Sequence, residues 1–138
     1  MRLEPVYRAT FTTPESWSVE LGAEGQSFLV AEGRCEGRVT GRYRGANFPR
    51  RRPDGTLLPD FRGALETDDG ATILFSWSGY ARETPDGLRE LVGSITHLTD
   101  DERYRWLNVA FCAVGGEVRP REDGSGFDVV IDVAEVVL

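Results

Sequence analysis

The stretch that decides the fold is EGRVTGRYRGANFPRRRPDG, Glu36 to Gly55. Its first three glycines fall at 37, 41 and 45, with arginine, valine, threonine and tyrosine between them. Read as a strand, the odd positions Gly37, Val39, Gly41, Tyr43 and Gly45 form a small, apolar face. The even positions Glu36, Arg38, Thr40, Arg42 and Arg44 form a polar face suited to water. That period of two predicts a half-buried β-strand. Glycine inside a strand marks strong bending or close approach by another group, and small barrels need such bends to close. A second reading is a lumen held open by missing side chains. An RNA-binding arginine–glycine arm would lack the alternation. Beyond Asn47, Pro49 and Pro53 interrupt pairing and Pro-Asp-Gly makes a turn. Arg50, Arg51 and Arg52 then form a basic run on a loop, balancing nearby acids or clamping an anionic ligand.

The same period extends outward in both directions. Strand-like segments run over Val6–Thr13, Trp17–Leu21, Ser27–Gly33, Phe61–Thr67, Ala71–Glu83, Leu88–Leu98, Tyr104–Val114 and Phe127–Leu138. Turn residues separate them at short spacings, and there is no long helical pattern or internal repeat. Thr99-Asp-Asp-Glu102 has the form of a capping box and predicts a single helical turn, with threonine as the cap. The expected fold is all-β: one closed antiparallel β-barrel of about eight or nine strands with a central cavity, occupying residues 1–138 as one domain.

Composition narrows the chemistry. The 138 residues are 40% hydrophobic and 28% charged, the range of a soluble globular protein. The net charge of −7 argues against nucleic acid as a partner, because phosphate binding needs a basic surface. All 16 basic residues are arginine, so lysine Schiff bases and P-loop lysines are excluded. One histidine, His97, cannot by itself build a multi-histidine metal site. Neither a metal nor a cofactor is expected. Cys35 and Cys112 lack CxxC spacing and are read as buried free thiols, with one disulfide as the alternative. The start, MRLEPVYRATF, has no apolar signal region, and no apolar run reaches membrane-spanning length. The expectation is a cytoplasmic protein with no membrane partner.

The segments GRCEGRVTGRYRGANF, RPDG, LETDDGATI and YRWLN occur in that order between Gly33 and Asn108. Together they resemble the uncharacterised bacterial barrel family of domain of unknown function 3237. The resemblance implies a closed antiparallel barrel with a central cavity and no agreed activity. The chain departs from the family pattern at Asn47 and Phe48, where Asp and Trp are usual. It departs again at Thr96–Thr99, where a Phe-Glu-Thr pattern is common. Both departures can alter a ligand site.

Candidate site residues follow from chemistry. His97 titrates nearest neutral pH, as a general acid or base, or is a rim histidine with a local hydrogen bond. Asp60, Arg62 and Glu66 share one strand face, and Arg62 could hold a carboxylate if that face points inward. Glu36 has the same ambiguity. Trp77, Tyr80, Trp106, Phe75 and Phe111 are core or the lining of a barrel mouth. Asn108, on the strand face of Trp106, is a structural bracket or a ligand contact, and Asn47 joins the ligand-contact candidates. Three functions fit: a small-molecule-binding barrel holding an apolar or aromatic metabolite, a cofactor-independent isomerase or cyclase using the same cavity, and a structural or interaction barrel. The closing strand is apolar on both faces, with Val130, Ala134, Val136 and Leu138 opposite Val129, Ile131 and Val133. A strand apolar on both sides is covered on both. A homodimer through this strand is therefore expected, with cover by residues 1–6 or 47–58 as the alternative.

Overall fold

The computed structural model describes all residues from Met1 to Leu138. It has ten strands: β1 (Arg2–Leu21), β2 (Glu24–Gly37), β3 (Gly41–Asn47), β4 (Arg50–Arg51), β5 (Leu57–Leu58), β6 (Asp60–Thr67), β7 (Thr72–Glu83), β8 (Arg89–Leu98), β9 (Cys112–Pro120) and β10 (Phe127–Val137). One 3-10 segment, η1 (Glu102–Val109), lies between β8 and β9.

Antiparallel pairing runs from β1 to β2, β3, β6, β7, β8, β9 and β10, and from β10 back to β1. The result is a barrel-like ring of eight strands, with β4 and β5 as a short bridge between β2 and β7. Period-two burial places one face of each strand inside. On β7, Ile73, Phe75, Trp77 and Ala81 are buried while Thr72, Leu74, Ser76 and Ser78 are exposed.

β1 is one strand where the sequence suggested two, Val6–Thr13 and Trp17–Leu21. Its register slips between Thr12 and Glu15, around Pro14. Before the slip β1 pairs with both β2 and β10; after it, with β2 alone. The β1–β2 hairpin therefore leaves the ring as a two-stranded ribbon. A second slip, between Pro5 and Tyr7, turns both Val6 and Tyr7 inward.

The glycine-rich stretch is divided between two strands. Glu36 and Gly37 end β2, Arg38–Thr40 turn the chain, and Gly41–Asn47 forms β3. The alternation holds within β3: Gly41 and Tyr43 are buried, Arg42 and Arg44 exposed. The glycines do not hold a lumen open. A side-chain carbon added at Gly63, the β6 partner of Gly45, would lie 2.1 Å from the Arg44 carbonyl oxygen and 2.8 Å from Phe75 Cζ. The Phe75 ring fills the space above this glycine pair.

Inside the ring the aromatic side chains form a continuous stack. Phe11 stacks on Tyr43 with centroids 4.7 Å apart, and Tyr43 on Phe75 at 4.9 Å. Phe61 meets Phe11 edge-on at 5.6 Å and stacks on Trp77 at 4.6 Å. Trp77 Nε1 donates to Tyr43 Oη at 3.3 Å, which satisfies the buried indole. The middle of the ring is thus packed solid, and open space lies at one end.

The other end is covered by η1, where a strand over Tyr104–Val114 was expected. Asp101, not Thr99, caps it: its carboxylate accepts from the Arg103 backbone N–H at 2.9 Å. The Arg103 side chain bonds the same carboxylate and holds its pKa down at about 2. Tyr104, Leu107 and Ala110 turn inward at the spacing of three of a 3-10 turn, and Trp106 packs partly buried beside them. Leu107 is fully buried. Tyr104 Oη donates to Asp69 at 2.6 Å, and the Arg38 guanidinium lies 4.0 Å above the Trp106 ring. These contacts tie η1 to the β6–β7 and β2–β3 turns. No helix is long and apolar enough to cross a membrane.

Candidate functional site

The cavity at the open end has a volume of about 500 Å³. Its walls come from elements remote in sequence. Phe11 and Phe61, the edge of the aromatic stack, make the floor. Leu29, Leu57, Ala81, Leu91, Val118 and Val129 supply apolar sides. The β1–β2 ribbon overhangs it with Ser16, Ser18 and Ser27, the inner face of a ribbon whose outer face carries Trp17 and Phe28. Ser125 to Phe127, from the β9–β10 connection, complete the rim.

Seven polar side chains join the apolar walls, five of them serine or threonine hydroxyls. Asn47 is buried, and its Oδ1 accepts from the Asp60 backbone N–H at 2.9 Å. That bond fixes the amide and leaves its N–H groups for the cavity. The Ser18 and Ser27 hydroxyls bond each other at 2.7 Å. Arg89 is the one charged residue in the lining, in a chain with 23 acidic residues, none of which lines the cavity. Its Nε is buried and has no hydrogen-bond partner. The nearest carboxylate is Glu83, 3.9 Å from Nη2 and 78% exposed.

The residues singled out from sequence are dispersed. Asn47 lies in the cavity. Trp77 lies in the stack behind the floor, fully buried. Asp60, Arg62 and Glu66 face outward on β6, with Arg62 Nε 3.9 Å from Asp60. Glu36 is exposed, and Tyr80 is exposed on the outer face of β7 under Arg52, whose guanidinium carbon lies 5.9 Å from its ring. Trp106 sits on η1 at the far end. Asn108 is exposed and does not share a face with Trp106. It brackets Thr99, accepting from its N–H at 2.8 Å and donating to its carbonyl at 2.9 Å. In the basic run, Arg51 pairs with Glu20 and Arg52 with Asp54 at 2.8 Å.

His97 is a core residue, not the rim histidine expected. Its Nε2 lies 2.9 Å from Tyr7 Oη, and its Nδ1 is buried without a partner. Burial lowers its pKa from 6.5 to about 4, so the ring is neutral at physiological pH. Burial also pushes the Cys35 and Cys112 thiols up to about 11; both are free. This polar pair lies behind the aromatic stack, away from the cavity. No group of three or more histidine, cysteine or acidic side chains is placed to hold a metal.

Sequence reasoning missed Arg89 and the ribbon serines. Arg89 was legible, because it keeps the inward register of Leu91, Ile95 and His97 along β8. The serines were not, because their role depends on how the ribbon leaves the ring at Pro14.

The family model described as "Protein of unknown function (DUF3237)" matches residues 1–136. No curated protein matches the chain. Among solved structures, a β-barrel-like protein from Acinetobacter baumannii is similar at 22% identity, covering 97% of this chain and 94% of that one, with a TM-score of 0.82. A protein of unknown function from Clostridium acetobutylicum has 18% identity and a TM-score of 0.86, covering 99% of this chain and 100% of that one. A protein described as an enzyme, from Penicillium herquei, has 22% identity and a TM-score of 0.70, covering 96% of this chain and 93% of that one. Likeness at these identities concerns the fold.

Proposed function

This chain belongs to the DUF3237 family, and on that footing we propose that it is a small-molecule-binding barrel that holds a largely apolar ligand in the open-end cavity. One observation carries the reading. A cavity of about 500 Å³ has an aromatic floor, aliphatic walls and a few fixed polar groups. Ligand pockets have this form: mostly apolar, with a small number of placed polar groups, and roughly 300–1,000 Å³ in volume. A purely structural barrel has no need of such a space, since cores pack to crystal-like density.

The second reading is a cofactor-independent isomerase or cyclase in the same cavity. The similar Penicillium herquei protein, described as an enzyme, supports it. Here the chemistry would rest on orientation and on Arg89, because the lining offers no carboxylate, imidazole or thiol as a base. A homodimer remains part of the proposal, with nucleic acid, membrane and cofactor outside it and the cytoplasm as its setting.

Native mass spectrometry of the purified protein, before and after incubation with a cell extract, tests the reading. The expected result is a retained small-molecule adduct that the cavity-filling variant Leu91→Trp, checked for native circular dichroism, no longer holds. Absence of any adduct on the wild type, or its persistence on Leu91→Trp, overturns it.

A further inference from the structure

We infer that the ligand is a small carboxylic acid, its apolar body on the Phe11–Phe61 floor and its carboxylate on Arg89; the inference rests on the cavity being a ligand site. Arg89 is the only charged side chain in the lining, so the cavity presents one positive charge inside a chain of net charge −7. The charge is answered only loosely from within, and the side chain is 37% exposed to solvent although its Nε is buried. Arg89 Nε is buried with no acceptor, and Glu83 at 3.9 Å is beyond hydrogen-bond distance and mostly in solvent. A buried donor left unpaired is costly, and native structures seldom keep one without a reason. Several other arginines are answered closely, among them Arg8 by Asp132 at 2.8 Å, Arg34 by Asp68 at 2.7 Å and Arg121 by Asp128 at 3.0 Å, while the comparably loose pairs of Arg62 and Arg82, at 3.9 Å and 3.8 Å, lie on the outer surface rather than in a cavity.

The guanidinium presents its donors as a planar fork that fits a carboxylate with two parallel bonds. Position favours the same class. Arg89 and Leu91 are alternate residues of β8, both in the cavity wall, so the cation adjoins aliphatic surface. The Asn47 amide N–H groups add neutral donors, which also favour an acceptor-rich head. A cationic ligand would meet Arg89 without a carboxylate in the lining to offset it, and a neutral one could accept a hydrogen bond but would leave the charge unmatched.

The test uses the intact protein and three matched probes: 2-naphthoate, 2-naphthalenemethanol and 2-naphthylmethylamine, titrated by calorimetry at neutral pH and low salt. The expected order is acid tightest, alcohol weaker by about tenfold or more, as for a lost charge-assisted hydrogen bond, and amine weakest. Arg89→Met should erase the preference of acid over alcohol, and Arg89→Lys should restore part of it. Because the order is read first on the wild type, a variant that fails to fold does not remove the test. Equal binding of acid and alcohol, or an unchanged ratio in folded Arg89→Met, overturns the carboxylate inference and leaves the cavity reading standing. Failure of all three probes to bind overturns both.

Discussion

Tyr7 Oη and His97 Nε2 lie 2.9 Å apart, joining the first strand to the eighth across the interior of the ring. Both residues are buried, and their rings meet edge to face with centroids at 5.7 Å. The hydrogen bond satisfies one imidazole nitrogen while the other stays unpaired, so a proton added to this histidine has no counter-charge to receive it.

Acid should therefore destabilise the protein through His97. Its pKa is about 4 when folded, against 6.5 for an ordinary solvated imidazole such as that of the unfolded chain. Between these values the unfolded chain binds more protons, so stability falls as pH drops from about 6.5 to about 4. The loss should approach about 3 kcal/mol. Denaturant titrations across that window measure it. His97→Gln should flatten the slope, and because the chain has one histidine no other imidazole can supply it. A wild-type stability that stays level over the window would refute the assignment.

Cys35 and Cys112 should be inert until the ring opens. With thiol pKa values raised to about 11 by burial, almost no thiolate exists at neutral pH. Reaction with a chromogenic disulfide should be very slow in the native protein and yield two thiols per chain in guanidinium. Rapid native reaction of either thiol would contradict the sealed placement. The same shifts should also cost stability in alkali, as pH rises from about 9 towards 11.

Two glycine substitutions should behave in opposite ways. Gly63→Ala puts a carbon 2.1 Å from the Arg44 carbonyl oxygen and against the Phe75 ring, so the strand pair must separate. A loss of about 1–3 kcal/mol or more is expected. Gly115→Ala meets nothing within 4 Å and should lie within about 0.5 kcal/mol of wild type. Thermal denaturation of both variants is the check, and similar values for the two would discredit the packing account.

The outer side of β10 should carry a self-association surface. Leu3, Phe111 and Leu138 are exposed around half-buried Val136, whose N–H donates to the Phe111 carbonyl at 2.8 Å. Residues 2–5 pair beside β10, and β4 and β5 bridge β2 to β7, so neither segment lies over this face. Light scattering at micromolar concentration should give a dimer mass, and Val136→Asp a monomer. A monomeric wild type, or a mutant that stays dimeric, would end the idea.

The sequence disclosed the ring more readily than the site. Alternation along Gly41–Asn47 located inside and outside correctly, because a period of two is a property of each strand alone, whereas on β6 and β7 it showed two faces without telling which one points inward, so that Asp60 and Tyr80 were counted as candidates for the lining. The segment Tyr104–Val109 misled, since Tyr104, Trp106 and Asn108 also satisfy a period of two. The competing spacing of three, Tyr104–Leu107–Ala110 behind an aspartate cap, is what the tertiary contacts selected. Of the site, Asn47 was identified and Arg89 was readable by extending the register of Leu91 and Ile95. The cavity itself was not readable. It exists because the β1–β2 ribbon departs at Pro14 and the Phe11–Phe61 floor stops the stack, and both depend on contacts between distant strands.

The pairing of Ala9 with Ile131 brings together residues near opposite ends of the sequence, and it is what makes β1 an interior strand of the ring. Until that pairing forms, one side of β1 shows a row of unsatisfied N–H and C=O groups, as any sheet edge does. Such long-range closure is slow, because loop entropy is lost before the contact rewards it. During synthesis β1 emerges first and its second partner last, so the nascent chain carries an open edge through most of translation. Refolding should thus be limited by the docking of β10, and crowding of partly folded chains should favour strand exchange through β1.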